Sequence, residues 1–315
     1  MTAATPRTRT TGELFTVVGG VNTDTILHTA TEPQDDGTVE VLERTGAIGG
    51  HGANTALALA RLGHRVRLVA AVGGDQAGEE ATASLRAAGV DTGDVVRVRA
   101  AQTGQAVVVN GPRTRHMMLW RGANDLLPAP DPVRGTLLLL DPPLPTVPAL
   151  LAGPRLVVAN PGGRTAGMLP MLCAAPGPVV LVCNRTEFEQ AGGAARLPEL
   201  VRTLTAVVVT EGERGCLVLD AAGSTAVPAR PATAVDPTGA GDAFTAGLAA
   251  ALAGGARAVR AAGAGAALAA LAVEVHGGPA ALPAATEVRR RLDADRSREH
   301  RNTESRSLEK ESAWS

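Results

Sequence analysis

Lysine is all but missing from this chain. Of 315 residues the sole lysine is Lys310, in a charged segment near the C-terminus. That scarcity removes whole classes of chemistry. A P-loop NTPase grips its β/γ-phosphates with a lysine, a protein kinase carries one on a core strand, and Schiff-base enzymes use one as nucleophile. A phosphate bound here must be neutralised by backbone N–H groups, a metal ion or arginine. Tyrosine is absent and aromatics make up 2% of the chain, so the core has to be built from Ala, Val and Leu; the hydrophobic content of 45% is ample for one. An excess of either charge is also lacking. With a net charge of −1, nothing attracts nucleic acid or an anionic membrane.

Cysteine is scarce as well. Cys173, Cys183 and Cys216 are widely spaced in apolar surroundings and give neither a disulfide framework nor metal-ligand spacing. They read as small buried hydrophobes of a protein in the reducing cytoplasm. No apolar run is long enough to span a bilayer: Thr245 to Val275 is broken by Arg257 and Arg260 and reads as two packed helices. Residues 1–13 are polar and threonine-rich, unlike a signal peptide.

What is present alternates. Phe15 to Gly20 reads as a buried strand ending in a glycine turn. Ala53 to Leu62 reads as an amphipathic helix, Val66 to Val72 as a second strand and Glu79 to Ala88 as a second helix. Leu137–Leu140, Leu156–Ala159, Val179–Val182 and Ala206–Thr210 are short continuous apolar runs, as expected of strands covered on both faces. The pattern predicts an α/β fold: a mostly parallel central sheet between two helical layers. Two regions differ. Residues 25–47 alternate polar and apolar side chains, and 105–120 reads as a hairpin turning at Asn110-Gly111. These half-exposed strands suit a small β lid over the edge of the large sheet. One domain over 14–292 is expected, with charged or polar tails at 1–13 and 293–315 that read as disordered.

The chemistry concentrates in Asp236-Pro237-Thr238-Gly239-Ala240-Gly241-Asp242. Small residues let backbone N–H groups converge, and the helix that begins there adds the positive end of its dipole, which makes a seat for an anion. Asp242 falls in the first turn beside that seat. A carboxylate in such a place suits taking the proton from a hydroxyl that attacks a phosphate, or is an ordinary first-turn residue after a glycine-rich turn. Elsewhere, Asp24 and Asn54 follow the glycine turns Gly19-Gly20 and Gly49-Gly50; they suit hydrogen bonds to a polyol, or serve as turn and cap residues. Asn184 and Glu187, three apart at a strand end, suit a hydrated Mg²⁺, or form a helix cap. Thr210 to Gly215 follows another strand and suits backbone contact with a nucleotide, or is an ordinary turn.

Taken in order, these pieces resemble the PfkB-type carbohydrate kinase family, also called ribokinase-like. Gly49 to Gly63 is similar to the family's first signature and Asp236 to Leu248 to its second; Gly73-Gly74-Asp75, Thr103-Gly104 and Gly122-Ala123-Asn124 also fit. The resemblance implies a ribokinase-like three-layer sandwich and an ATP-dependent phosphotransferase acting on an alcohol group. It implies Asp242 as base, with the amides of Gly239, Ala240, Gly241 and Asp242 as the anion hole. It implies Asp24, Gly50, Asn54 and Asp141 as sugar ligands. Asn184, Thr210, Gly212 and Gly215 would meet the nucleotide, Glu187 and Asn184 would organise Mg²⁺ through water, and Asp236 would belong to a K⁺ site as in potassium-activated members. A homodimer through the lid is also implied.

The chain departs from the family in places. His51 stands where ribokinases usually have Lys, Asp141 is one methylene shorter than the usual Glu, and Gly263, Gly265 and Ala266 replace an Asn near the nucleobase. The expected reaction is transfer of the ATP γ-phosphoryl group to a primary hydroxyl of a sugar. The alternatives are a nucleoside kinase, for which Trp120 is the available stacking ring, and a non-catalytic sugar-binding regulator.

Overall fold

The computed structural model describes residues 13–33, 36–283, 286–288, 290 and 291. The expectations for the tails at 1–12 and 293–315 lie outside the described residues. The large sheet contains β1 (Leu14–Gly19), β4 (Arg65–Gly73), β5 (Asp91–Val98), β8 (Thr136–Leu140), β9 (Leu156–Asn160), β10 (Val179–Asn184), β11 (Ala206–Thr210), β12 (Cys216–Asp220) and β13 (Gly223–Val227). Its order is β13-β12-β11-β10-β9-β8-β1-β4-β5. The strands from β11 to β5 in that order pair parallel, while β12 and β13 add an antiparallel edge.

Alternate residues along these strands feed two cores. Val17, Leu138, Val180 and Val208 face one; Val18, Leu139, Leu181 and Val209 face the other. That double burial is why the strands read as unbroken apolar runs. The first core is closed by α1 (His51–Arg61), α2 (Gln76–Ala87), α7 (Ala240–Ala253) and α8 (Ala258–Val273). The second is closed by α3 (Val147–Leu150), α4 (Thr165–Cys173), α5 (Arg185–Gln190) and α6 (Gly193–Thr203). The three-layer α/β architecture is therefore the one the sequence predicts. The Ala/Gly-rich stretch is two helices, as read. Among the described residues no helix is long and apolar enough to cross a membrane.

A second sheet of four strands has the order β3-β2-β6-β7, from β2 (Asn22–Thr29), β3 (Val41–Gly49), β6 (Gly104–Asn110) and β7 (Arg115–Trp120). One detail differs from the sequence reading. Asn110 pairs with Arg115, so the hairpin turns through the four residues Gly111–Thr114 rather than through a tight Asn-Gly pair. Glu32 explains the longer loop: its carboxylate accepts bonds from Arg113 N–H, at 2.6 Å, and from the Thr114 hydroxyl.

The parallel strands end along one edge, and that edge carries the chemistry, as expected for open α/β sheets. Gly19 is level with Leu140, Leu140 with Asn160, and Asn184 with Thr210.

Candidate active site

The start of α7 sits over the middle of this edge. Asn160, at the end of β9, donates its side-chain N–H to Thr245 of α7 at 3.0 Å. The helix is prepared by its preceding turn. Asp236 accepts the N–H groups of Thr238 (2.9 Å) and Gly277 (3.0 Å). Burial alone would raise its pKa, but these bonds outweigh it and hold the carboxyl below its usual range. Gly239 then takes a left-handed conformation, φ 73°, as the N-cap of α7. Only glycine tolerates that conformation freely. A Cβ there would also lie 2.4 Å from Pro279 Cδ.

Of the expected anion-hole amides, Ala240 N–H already bonds to Pro237 O at 3.2 Å. The N–H groups of Gly241 and Asp242 have no protein acceptor among the described residues, as the first turn of a helix requires. Open space lies above Gly241, where a Cβ would meet nothing within 4 Å. These two donors lie at the positive end of α7, as the expected anion seat requires.

Asp242 is buried, 4% exposed, and both of its oxygens are held. Asn54 Nδ2 donates to Oδ2 at 2.9 Å, and His51 Nδ1 lies 2.7 Å from Oδ1. The carboxylate drives the His51 pKa up to about 9, outweighing the effect of burial, with smaller help from Asp141 and Glu187. His51 and Asn54 are three apart at the start of α1 and share one face. The sequence offered that spacing as a signal, but their common partner lies 191 and 188 residues away.

Beside Asp242 is a cavity of about 160 Å³. Its floor and walls include Asp24, Asn54, Asp141 and Asp242, and β7 contributes Arg115, Met117 and Leu119 as a roof. Gly50 lies at the rim, directly before α1. Asp24 Oδ1 is buried without a hydrogen-bond partner. Burial first, and the neighbouring Asp242 charge second, raise its pKa to about 6. Asp141 lines the cavity in a left-handed conformation, φ 55°. Its oxygens are clamped by Arg121 Nη1 at 2.5 Å and Arg164 Nε at 3.0 Å, a tertiary contact no sequence spacing indicates. Asn124, in the turn after β7, also lines the cavity; it accepts Val21 N–H and donates to Asn22. Arg115 reaches from β7 to the Thr238 hydroxyl at 3.3 Å, beside the anion seat.

The remaining expected residues lie outside this cavity, at and beyond the ends of β10 and β11. Asn184 and Glu187 form a reciprocal capping box at the start of α5: Asn184 Oδ1 accepts Glu187 N–H and Glu187 Oε2 accepts Asn184 N–H, each at 2.9 Å. Thr210 ends β11 beside Asn184. Gly212 opens the 3₁₀ turn that follows, and Gly215 packs against the Val227 carbonyl of β13. Arg185 bonds to Glu211 at 3.0 Å and joins the two loops. Among the described residues no three His, Cys, Asp or Glu side chains converge as a metal cage.

The chain matches the family described as pfkB family carbohydrate kinase over residues 13–132 and 155–285. A ribokinase of Mus musculus is 29% identical over 259 residues, covering 74% of this chain and 80% of the relative. Among solved structures, a ribokinase of Cryptococcus neoformans in complex with ADP has a TM-score of 0.74 at 25% identity, covering 89% of this chain and all of that one. A nucleoside kinase of Methanocaldococcus jannaschii shares the fold, with a TM-score of 0.77 at 24% identity over 90% of this chain and 99% of that one.

Proposed function

Because the chain belongs to the pfkB family of carbohydrate kinases, we propose that it transfers the γ-phosphoryl group of ATP to a primary hydroxyl of a neutral monosaccharide held in the 160 Å³ cavity. One observation carries this reading. A buried carboxylate, Asp242, lines the cavity and sits in the same first helix turn as two open N–H donors. An acceptor on one side and a nucleotide on the Asn184–Thr210 side would meet over α7.

The cavity supports a sugar in three ways. Its volume is well below the ~300 Å³ at which pockets for drug-sized ligands begin. Its charges largely pair within the protein, Asp141 with Arg121 and Asp242 with His51, so a second phosphate would meet only Arg115, which bonds to the Thr238 hydroxyl. Its wall includes no Phe, Tyr or Trp. Trp120 lines the adjoining groove with Gln102 and Arg121 instead, and a nucleoside acceptor would have to extend there. The unpartnered Asp24 oxygen is an acceptor for sugar hydroxyls.

In the transfer, Asp242 takes the proton as the hydroxyl oxygen attacks, and the γ-phosphoryl group leaves ADP in line. The open N–H groups of Gly241 and Asp242 stabilise the charge on its equatorial oxygens. Arg115 brings a positive charge to the same place from β7. The four-stranded sheet acts as a lid that keeps water from competing as acceptor.

Mg²⁺, bound with ATP, supplies charge neutralisation on the phosphates. Glu187 fits that task with the one oxygen its capping box leaves open, since Mg²⁺ in such sites is held by one or two carboxylates, phosphates and water. Asp236 would offer K⁺ the lone pair left on each oxygen after it accepts one backbone N–H. The exposed edges of the small sheet, with Leu42 on β3 and Met118 on β7, suit a homodimer through this sheet.

A coupled assay of ADP release over a panel of monosaccharides, nucleosides and sugar phosphates tests the proposal. A monosaccharide should give the highest kcat/KM. Release only with nucleosides would move the acceptor to the Trp120 groove, and no acceptor-dependent release would point to a binding protein. Asp24 adds a pH signature. As pH falls through about 6, Asp24 gains a proton and loses acceptor capacity, so KM for the sugar should rise while KM for ATP stays level. In Asp24→Asn the sugar KM should be high and independent of pH over that range.

A further inference from the structure

Asp242 is held on both oxygens before any substrate arrives, and the two holders differ. Asn54 is neutral and buried. His51 is a titratable group whose side chain is 49% exposed to the cavity. We infer that His51 is a positioning residue for the proposed base: it clamps Asp242 Oδ1 while Asn54 holds Oδ2 and supplies, in this lysine-poor chain, a fixed positive charge next to the reacting hydroxyl.

The geometry supports a clamp rather than a chance contact. With Oδ1 and Oδ2 each bonded to α1, the carboxylate plane is fixed by one rigid helix turn. Each oxygen keeps a lone pair for the sugar hydroxyl. The groups around His51 reinforce its charge. Asp242 comes from α7, Asp141 from the end of β8 and Glu187 from α5, and all three favour the imidazolium. Asp24 of β2 also feels the His51 charge. The cations nearby, Arg115 and Arg121 on the roof, are directed to Thr238 and Asp141. His51 is therefore an imidazolium at neutral pH, with a pKa pushed up to about 9 from 6.5. Stability from the pair is fully present below pH 6.5 and is lost as pH rises through about 9.

The inference rests on the kinase reading for its catalytic meaning, so its test has a readout that needs no turnover. The imidazole of His51, followed by NMR in the full chain, should titrate near pH 9 and return toward 6.5 in Asp242→Asn. A His51 that titrates in the ordinary range, or one unmoved by Asp242→Asn, overturns the clamp. A shifted titration in a chain that releases no ADP would retain the clamp and remove the kinase reading.

Kinetics then test the role. His51→Gln should lower kcat by on the order of 10–10²-fold with KM for ATP unchanged, and the fall of kcat/KM above about pH 9 should vanish from its profile. His51→Lys, which keeps the charge, should recover much of the loss and move that fall to higher pH. Thermal melting of each variant at pH 7 separates folding defects from this effect. If His51→Gln melts like the parent and keeps both its turnover and its alkaline limb, His51 has no positioning role.

Discussion

Replacing Asp242 by asparagine is expected to cut kcat by ~10²–10⁴-fold, the contribution of a positioned general base. The substitution is nearly isosteric. Asn54 and His51 remain in place, the start of α7 keeps its N–H donors, and the cavity keeps its volume. KM for ATP should therefore change little. What is removed is the acceptor for the hydroxyl proton, and the loss should appear in the chemical step: single-turnover transfer slows by the same factor as steady-state turnover. Near-normal turnover in Asp242→Asn would remove the proposed base.

The second large effect is expected at Gly239. Gly239→Ala adds a Cβ at φ 73°, which costs ~1–2 kcal/mol in the left-handed region. The same Cβ would collide with the ring of Pro279 at 2.4 Å, and a proline ring cannot swing aside. The start of α7 must shift, carrying the Gly241 and Asp242 N–H groups and the Asp242 carboxylate with it. A displacement of about 1 Å at a reacting centre costs on the order of 10²-fold, so kcat should fall by about that factor and KM for ATP should rise. Gly254→Ala is the control. It lies at the far end of α7, at φ −76°, where a Cβ would meet nothing closer than 3.4 Å, and should leave turnover unchanged. Equal losses in both variants would show that the effect is general rather than local to the anion seat.

The parts of the fold legible in the sequence are those governed by period and continuity. Leu137–Leu140 and Ala206–Thr210 declare themselves because both faces of the sheet are covered. β5, β12 and β13 were not read. β5 is an edge strand with polar residues, Asp91-Thr92-Gly93-Asp94, at its start, and β13 is exposed over most of its length, so neither carries the buried-strand pattern.

The site divides in the same way. The glycine turn and its aspartate are local, and the start of α7 is where the pattern placed it. The arginine clamp on Asp141 and the meeting of His51 with Asp242 are long-range contacts. Residues 121, 141 and 164 come together only because β8 runs beside β9 and the small sheet folds back over their ends. Asn184 and Glu187 were readable as a cap or as metal ligands; the capping bonds are formed, and they leave one Glu187 oxygen open.

The cavity has two owners, and they answer to different constraints. Its base, with Asp242, Asn54 and His51, is fastened to helices packed on the main sheet. There Gly247 and Gly265 bring α7 and α8 so close that a Cβ on either would meet the other helix's backbone below 3 Å. Its cover is carried by the small sheet, on whose exposed edge strand Arg115, Met117 and Leu119 alternate toward the cavity while His116, Met118 and Trp120 do not line it. Sequence change can therefore work on the cover without disturbing the machinery beneath. A new acceptor could be acquired by exchanging three alternate side chains on one ribbon, while a new reaction would require rebuilding a helix junction with no slack.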